Sequence, residues 1–335
     1  MANPILVEVT RGDLVESIHC GAIAIADASG ALKLALGDVT APVYSRSSLK
    51  PMQAIPLVES GAADAFGLGD EEIALACASH SGEPMHTERV EAWLARIGLT
   101  QSDLACGAHP SRYEPVVEAM IRARLKPTRI FNNCSGKHTG FLTVARHWDV
   151  ATAGYEHADH PVQKAVAAAL RDLTGASALP YGIDGCAAPN FATSLTQFAT
   201  AAARMATPGA LPAPRAAATA RIIGAMIKHP ELMSGTGRAC ATLIRACGGK
   251  ASVKTGAEGF FGAWIPSRGL GVAIKIDDGA GRASETAMAA VLDQLGLLND
   301  DPKARAILRA PVINTRGATV GERRPSAVLA ALAIA

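Results

Sequence analysis

Ser47 and Lys50 lie three residues apart in the segment Arg-Ser-Ser-Leu-Lys-Pro at 46–51. At this spacing two side chains share one face of a helix, about one turn apart, so a lysine amine can reach a serine hydroxyl. A serine is a weak nucleophile until a base removes its proton, and a lysine can be that base when burial or a nearby cation lowers the pKa of its ammonium group. The segment therefore predicts a serine–lysine pair. A capping serine beside a solvated lysine is the alternative interpretation.

Lys254 begins a second pattern, Lys-Thr-Gly at 254–256, at the end of a predicted strand. Serine β-lactamases and penicillin-binding enzymes carry a Ser-x-x-Lys box and a later Lys-Thr-Gly box. Both boxes occur here in that order. In those enzymes the late strand lines the site, and its lysine supplies positive charge or a proton. A strand-end lysine without a catalytic role is the alternative.

A third segment, residues 77–84, reads Cys-Ala-Ser-His-Ser-Gly-Glu-Pro after an apolar helix. Its serines, His80 and its glycine can present hydroxyls and backbone N–H donors to a substrate. A helix C-terminal turn with polar caps is the alternative interpretation of this segment.

Two cysteine-bearing segments suggest a metal. Residues 132–140 read Asn-Asn-Cys-Ser-Gly-Lys-His-Thr-Gly, and residues 181–186 read Tyr-Gly-Ile-Asp-Gly-Cys. Cys134 and His138 are four residues apart and could share a metal ion on one helical face. Cys186 and one further oxygen or nitrogen donor could complete a zinc site with an open position. Because no Cys-x-x-Cys pair is present, spacing alone leaves a metal-free role open.

The elements that must position these segments follow from hydrophobic periodicity and turn residues. We predict strands at 4–9, 18–26, 31–37, 251–255, 259–265, 269–277 and 311–314. We predict helices at 47–60, 70–77, 85–97, 113–124, 137–147, 161–174, 190–205, 216–228, 237–247 and 281–296. Strands from both chain ends then meet in one sheet with a helical block between them, a mixed α/β layout. The Pro-rich segment 207–214 is a predicted linker or surface loop.

Composition excludes several classes of function. The chain has 335 residues, 49% of them hydrophobic, which allows one large domain over 1–335 or two intimate subdomains. Lys and Arg number 32 against 30 Asp and Glu, which disfavours nucleic acid and anionic membranes as partners. Seven scattered cysteines, no secretory signal and no apolar run of about 18 residues predict a cytoplasmic protein without a disulfide framework. No phosphate-loop pattern supports a nucleotide cofactor.

Together the five segments resemble the rhizobial-type L-asparaginases, sometimes grouped as asparaginase II. The matching stretches are Arg-Ser-Ser-Leu-Lys-Pro, Ser-His-Ser-Gly-Glu, Asn-Asn-Cys-Ser-Gly-Lys-His, Ile-Asp-Gly-Cys and Lys-Thr-Gly, in this order along the chain. The resemblance covers about residues 5 to 320. It implies a fold like the serine β-lactamases, with a central antiparallel sheet and a helical block. It also implies a homodimer with one zinc ion near each active site.

The resemblance also assigns catalytic roles. It places the nucleophile on Ser47 and its paired lysine on Lys50, and a second serine–lysine pair on Ser79 and Lys254. Arg46, His80 and His138 are expected near the substrate.

The implied zinc ligands are Cys134, Lys137 and Cys186, with water as the fourth ligand and Asp184 beside the metal as an acceptor. A lysine ligand must bind as the neutral amine, which an adjacent dication favours. The resemblance therefore replaces His138 by Lys137 in the ligand set that spacing alone suggested.

The implied reaction is hydrolysis of the side-chain amide of L-asparagine through an acyl-enzyme on Ser47, with Arg46 near the α-carboxylate. A glutaminase or another small-amide hydrolase is a rival with the same chemistry, because one methylene discriminates by only about 1–3 kcal/mol. A β-lactam-processing enzyme is a second rival, which a cytoplasmic location disfavours. A non-catalytic, zinc-stabilised binding protein is a third. The threonine asparaginases match poorly, since no Thr-Gly-Gly-Thr motif is present.

Overall fold

The computed structural model of the protein describes residues 2–332 and residue 334. Met1, Ala333 and Ala335, which the predicted domain 1–335 includes, lie outside the described residues. The chain forms two compact units. The first contains the residues up to Ser48, Thr193–Thr207 and the residues from Thr242 onward, and the second contains Leu49–Ala192 and Pro208–Ala241. One catalytic domain over the whole chain stays a prediction.

The strands, in chain order, are β1 Ile5–Arg11, β2 Leu14–Asp27, β3 Leu32–Leu36, β4 Val43–Tyr44, β5 Tyr181–Ile183, β6 Pro189–Thr193, β7 Ser252–Thr255, β8 Phe260–Ile265, β9 Leu270–Ile276, β10 Ala310–Ile313 and β11 Thr319–Pro325.

The α-helices are α1 Lys50–Gln53, α2 Ile55–Glu59, α3 Ala62–Ala65, α4 Asp70–Ala76, α5 Pro84–Arg96, α6 Glu114–Arg122, α7 Ser135–His147, α8 Pro161–Thr174, α9 Leu195–Ala206, α10 Ala213–Lys228, α11 Pro230–Met233, α12 Ala239–Ala246, α13 Gly281–Gln294, α14 Pro302–Leu308 and α15 Ala327–Ala330. Short 3₁₀ helices span Arg46–Leu49, Gln101–Asp103, Arg129–Phe131 and Pro208–Ala210. None of the helices in the described part of the chain has the length and apolar character needed to span a bilayer.

The first unit is built on an antiparallel sheet with the strand order β10-β11-β1-β2-β9-β8-β7, and β3 also pairs with β2. Strand β1, at the start of the chain, pairs with β11 near its end, with Glu8 opposite Arg324. The turn between β2 and β3 is closed by the Asp27 carboxylate, which accepts from the backbone of Ser29 and Ala31. The predictions of this hairpin and of a sheet that joins both chain ends are confirmed.

Helix α9 packs on this sheet. It lies close to the strands at two glycines, which have no side chain in the way. Phe198 stacks edge-on against Phe260 and Trp264, and a Cβ at Gly262 would lie 2.5 Å from its ring. A Cβ at Gly271 would lie 2.1 Å from the Ala199 carbonyl oxygen. The other face of β8 is equally buried, and α13 packs against β8, β9, β1 and β11. The sheet therefore has a core on both faces, which confirms the mixed α/β prediction.

The second unit is the predicted helical block, in which α4 packs against α7 and α10. A Cβ at Gly136, in the first turn of α7, would lie 2.4 Å from the Leu75 carbonyl oxygen, so only glycine allows this approach. Trp93 of α5 donates to Thr143 of α7 over 3.0 Å. This packing brings the start of α7 beside the end of α4, where residues 77–84 begin.

Some predicted elements differ from the structure. The predicted helix at 47–60 is a 3₁₀ turn followed by α1 and α2, because Pro51 and Pro56 lack the N–H that a continuous helix needs. The predicted helix at 190–205 is wrong at its start: β6 runs to Thr193, and α9 begins after the Ser194 cap. The predicted loop 207–214 contains the 3₁₀ turn Pro208–Ala210 and the start of α10. Strand β11 and helix α14 were not predicted.

Candidate active site

Lys50 is the first residue of α1, and its side chain is buried in the second unit with 1% of its surface exposed. Its Nζ atom lies 2.5 Å from the Ala78 carbonyl oxygen, 3.1 Å from Ser79 Oγ and 3.1 Å from the Asn133 carbonyl oxygen. The structure therefore brings Lys50 together with Ser79, two residues that the sequence analysis assigned to different pairs.

The three partners of Lys50 suit both of its protonation states. An ammonium group has three N–H donors, one for each of the two carbonyls and one for Ser79 Oγ. A neutral amine has two N–H donors, which the carbonyls of Ala78 and Asn133 can accept, and a lone pair that remains for the Ser79 O–H. The site can therefore pass one proton between Ser79 and Lys50 without leaving either carbonyl unpaired.

Ser79 lies in residues 77–84, which we call the serine loop. Its backbone N–H donates to the Met233 carbonyl over 3.0 Å, so this amide is engaged within the protein. The Ser81 carbonyl accepts from the Arg112 amide and from Ser111 Oγ, both over 2.7 Å. The loop that carries Ser79 is therefore fixed by hydrogen bonds to several other segments.

His80 links the serine loop to the start of α7. Its Nδ1 accepts from the Gly82 amide at 3.2 Å, which leaves the proton on Nε2 to donate to Ser135 Oγ at 2.8 Å. Ser135 Oγ in turn donates to the Ile130 carbonyl. Burial, with the repulsion that a protonated His80 would meet from a protonated His86 or Lys50, holds the pKa of His80 well below its usual value. His80 is therefore a neutral bridge, and its predicted substrate contact stays a prediction.

The predicted zinc ligands Cys134, Lys137 and Cys186 lie together, all buried, in the second unit. Lys137 Nζ is 3.1 Å from Cys186 Sγ, and Cys186 Sγ is 3.6 Å from Asp184 Oδ2. The hydrogen bond from Cys134 and the charge of Lys137 bring the pKa of Cys186 far below its usual value, against the effect of burial. The hydrogen bond with Cys186 and burial raise the pKa of Cys134. Two sulfurs and one amine nitrogen therefore form a buried hydrogen-bonded cluster.

Lys137 and His138 complete this cluster. Burial would lower the pKa of Lys137, but Cys186, Cys134 and Asp184 together raise it above its usual value. His138 is fully buried, and its Nδ1 lies 2.6 Å from the Tyr155 hydroxyl, which also accepts from the Ala105 amide. Among the described residues, its buried Nε2 atom has no hydrogen-bond partner of normal geometry. Burial lowers the pKa of His138, and Cys186 acts in the opposite direction.

The donor set of this cluster fits a zinc ion. Two sulfurs and one nitrogen are ligand types that zinc binds, and a bound dication would displace the thiol proton of Cys134 and one proton of the Lys137 ammonium. Within the described residues, no group of three or more His, Cys, Asp or Glu side chains could hold a metal ion, and Lys137 is the third donor that the resemblance implies. Zinc binding itself stays a prediction.

Ser47 and Lys254 belong to the first unit. Ser47 is half-buried in the 3₁₀ turn that Arg46 begins, and Arg46 has a left-handed φ of 50°. Ser48 Oγ donates to the Lys254 carbonyl over 2.6 Å, and the buried Lys254 Nζ donates to the Thr255 carbonyl over 2.7 Å. Within the first unit, Ser48 therefore joins the residues around Ser47 to the Lys-Thr-Gly segment. The catalytic roles of Ser47 and Lys254 stay predictions.

Three contributors to the site received no role of their own in the sequence analysis: the Asn133 carbonyl, Tyr155 and Glu83. Their roles depend on contacts across 83, 17 and 153 residues of sequence. A buried glutamate beside a glycine loop, Gly82-Glu83, was the only local signal. A backbone carbonyl has no signature in sequence at all.

A family model described as L-asparaginase II matches residues 7–325, nearly the whole chain. The chain belongs to the L-asparaginase II family. The family match confirms the resemblance seen in the five segments. It identifies the protein as an amide hydrolase. A search of curated proteins finds no match.

Solved structures of other proteins resemble this L-asparaginase II family member only distantly. A β-lactamase from Mycobacterium bovis is 14% identical, with 83% of this chain and 95% of that chain covered and a TM-score of 0.43. A protein assigned as a β-lactamase from Bacteroides dorei is 13% identical, with 76% and 84% covered and a TM-score of 0.42. At these TM-scores the likeness carries no conclusion about the reaction.

Proposed function

We propose that the protein hydrolyses the side-chain amide of L-asparagine to L-aspartate and ammonia through a serine that a buried lysine activates. The observation that carries this proposal is the contact of Lys50 Nζ with Ser79 Oγ at 3.1 Å, with two carbonyls as the other acceptors. Family membership supports an amide as the bond that is broken.

In the proposed reaction, neutral Lys50 takes the proton of the attacking serine as its oxygen bonds to the amide carbon. Lys50 returns that proton to the leaving nitrogen, ammonia departs, and a β-aspartyl ester remains on the serine. Water then attacks the ester with the lysine again as base, and aspartate leaves. We propose Ser47 as the nucleophile and assign the proton relay to Ser79, with Lys254 as a second source of positive charge.

Ser79 is a second candidate for the nucleophile, and a specific observation favours it. Its hydroxyl is the one that lies at hydrogen-bond distance from Lys50 in the second unit. In that case Ser47 would take part in substrate binding, beside Arg46, the proposed partner of the α-carboxylate.

We also propose that Cys134, Lys137 and Cys186 hold zinc, with Asp184 beside them. The bound ion would act as a Lewis acid that orients the substrate or the surrounding loops. The serine–lysine pairs already provide a nucleophile, so zinc-bound hydroxide is not required. A homodimer in the cytoplasm completes the proposal; light scattering and cell fractionation would test these two features.

The first experiment measures ammonia release from L-asparagine and L-glutamine by the wild-type protein and by Ser47→Ala and Ser79→Ala variants. We expect release from asparagine. Release from glutamine alone would replace the proposal with a glutaminase, and release from neither, in folded zinc-loaded protein, would refute it. Hydroxylamine should capture the acyl group as a hydroxamate, and mass spectrometry of acid-quenched peptides should find the ester on Ser47. An ester on Ser79 would reverse the two serine roles.

A further inference from the structure

Among the segments that hold the serine loop is residues 231–236 of the second unit, which we call the clamp segment. The Ser79 amide donates to the Met233 carbonyl over 3.0 Å. His86, three residues beyond Glu83 in α5, donates from Nε2 to the Glu231 carbonyl over 2.9 Å. The clamp segment therefore contacts the backbone of Ser79 itself and the helix into which the loop leads.

Glu83 makes the third and strongest link. Its Oε1 accepts from Ser81 Oγ and, over 2.8 Å, from the Thr236 amide, and its Oε2 accepts from Thr236 Oγ1 over 2.6 Å. Glu83 is 3% exposed. Burial would raise the pKa of Glu83, but the hydrogen bonds from Ser81 and Thr236 lower it below its usual value. The carboxylate therefore stays ionised at neutral pH, and hydrogen bonds to an ionised acceptor are about twice as strong as neutral ones.

Gly235 makes this close approach possible. Its φ is +129°, and a Cβ at this position would lie 2.0 Å from Ser81 Oγ and 2.8 Å from Glu83 Oε1. Any side chain there would push the clamp segment away from the carboxylate. Gly237, two residues on, has no atom within 4 Å of an added Cβ, so the tight fit is confined to the position that faces Glu83.

His86 holds the backbone of Glu83. Its Nδ1 accepts from the Glu83 amide at 3.2 Å, so its proton is on Nε2, in position to bond to the Glu231 carbonyl. Backbone and side chain of Glu83 are thus both engaged.

We propose that Glu83 is a positioning residue: it holds the clamp segment against the serine loop and thereby keeps the Ser79 hydroxyl at hydrogen-bond distance from Lys50. The link runs from Glu83 through Thr236 to Met233, whose carbonyl receives the Ser79 amide. Its effect on turnover rests on the proposed function, while its effect on the loop does not.

The test compares Glu83→Ala with Glu83→Gln, and uses Glu88→Ala on the exposed face of the same helix as the control. Glutamine can keep the geometry, since its oxygen accepts from Ser81 and the Thr236 amide and its NH₂ group donates to Thr236 Oγ1. Alanine cannot. Because misplacing a reacting group by about 1 Å costs about 100-fold, we expect kcat for Glu83→Ala to fall about 100-fold while KM changes less than about 3-fold. Glu83→Gln should recover most of kcat.

Hydrogen exchange gives a readout that needs no substrate. In Glu83→Ala the peptide that contains the Ser79 amide should exchange at least about 10-fold faster, while peptides from the second half of α7 stay unchanged. Thr236→Val, which removes only the Oγ1 bond, should show a smaller change of the same kind if the alanine variant does not fold.

Unchanged exchange at Ser79 in folded Glu83→Ala would overturn the positioning role, whatever the substrate is. A Glu83→Gln variant as inactive as Glu83→Ala would also overturn it, because the charge itself would then be needed. If wild-type protein releases no ammonia but Glu83→Ala speeds exchange at Ser79, the proposed function fails and the positioning role stands.

Discussion

Replacing Lys50 tests the central contact of the site. Lys50→Met keeps the length of the side chain but removes the amine, and Lys50→Arg keeps a positive charge and several N–H donors but cannot accept a proton at any working pH. If Lys50 is the base, both variants should lose activity for the same reason. If it supplies only positive charge, the arginine variant should retain most of it.

The expected losses of activity and stability follow from the role of Lys50 and from the three partners of its Nζ atom. Loss of a positioned general base costs about 10²–10⁴-fold in kcat, so we expect both variants in that range. In Lys50→Met the carbonyls of Ala78 and Asn133 lose a donor, at about 1–3 kcal/mol each, and the removal of a buried polar amine offsets part of this cost. Lys50→Arg should be destabilised less by the loss of donors, although its larger volume must fit a fully buried site.

The assay measures ammonia release at a saturating concentration of asparagine. Urea unfolding confirms that each variant is folded. A Lys228→Met variant, at an exposed lysine of the same unit, serves as the control and should retain full activity. Arginine at position 50 with kcat within about 10-fold of wild type would refute the role of Lys50 as base, because the general-base contribution alone exceeds that factor.

Three further predictions follow from the second unit. Gly235→Ala should destabilise the protein by about 1–3 kcal/mol or more in urea unfolding, and Gly237→Ala, with open space around it, should cost less; equal losses would contradict the contact with Glu83. Burial lowers the pKa of His80 and His86 below the 6.5 of an exposed histidine, so the unfolded chain binds more protons than the folded protein. The free energy of unfolding should therefore fall as the pH drops below 6.5, by up to about 1.4 kcal/mol per pH unit for each histidine. His86→Gln should reduce this slope by about one proton. Chelation of zinc, followed by metal analysis, should weaken turnover without abolishing it; complete loss in folded protein would give the metal the central role.

The local pattern predicted most of the elements, because periodicity and turn residues act over a few positions. The alternation around 27–30 predicted a hairpin, and the sequence 161–174 predicted α8 with both of its ends. The pattern was misleading at Pro56, where a break in the helix was not predicted, and at 190–193, where apolar and small residues fit a strand as well as a helix. Those choices depend on tertiary packing, which a window of ten residues does not contain.

For the site, the sequence by itself determined which residue types are present and which family they resemble. The patterns that carried this information are local: the metal-ligating residue types near Cys134, the Ser-x-x-Lys spacing and the Lys-Thr-Gly box. Only the tertiary structure decided that Ser79 is the hydroxyl in contact with Lys50, and that Glu83 reaches Thr236 across 153 residues. The physical reason is that a buried polar group must find a partner wherever the fold supplies one, and a partner distant in sequence, above all a backbone carbonyl, leaves no trace in the residues around it.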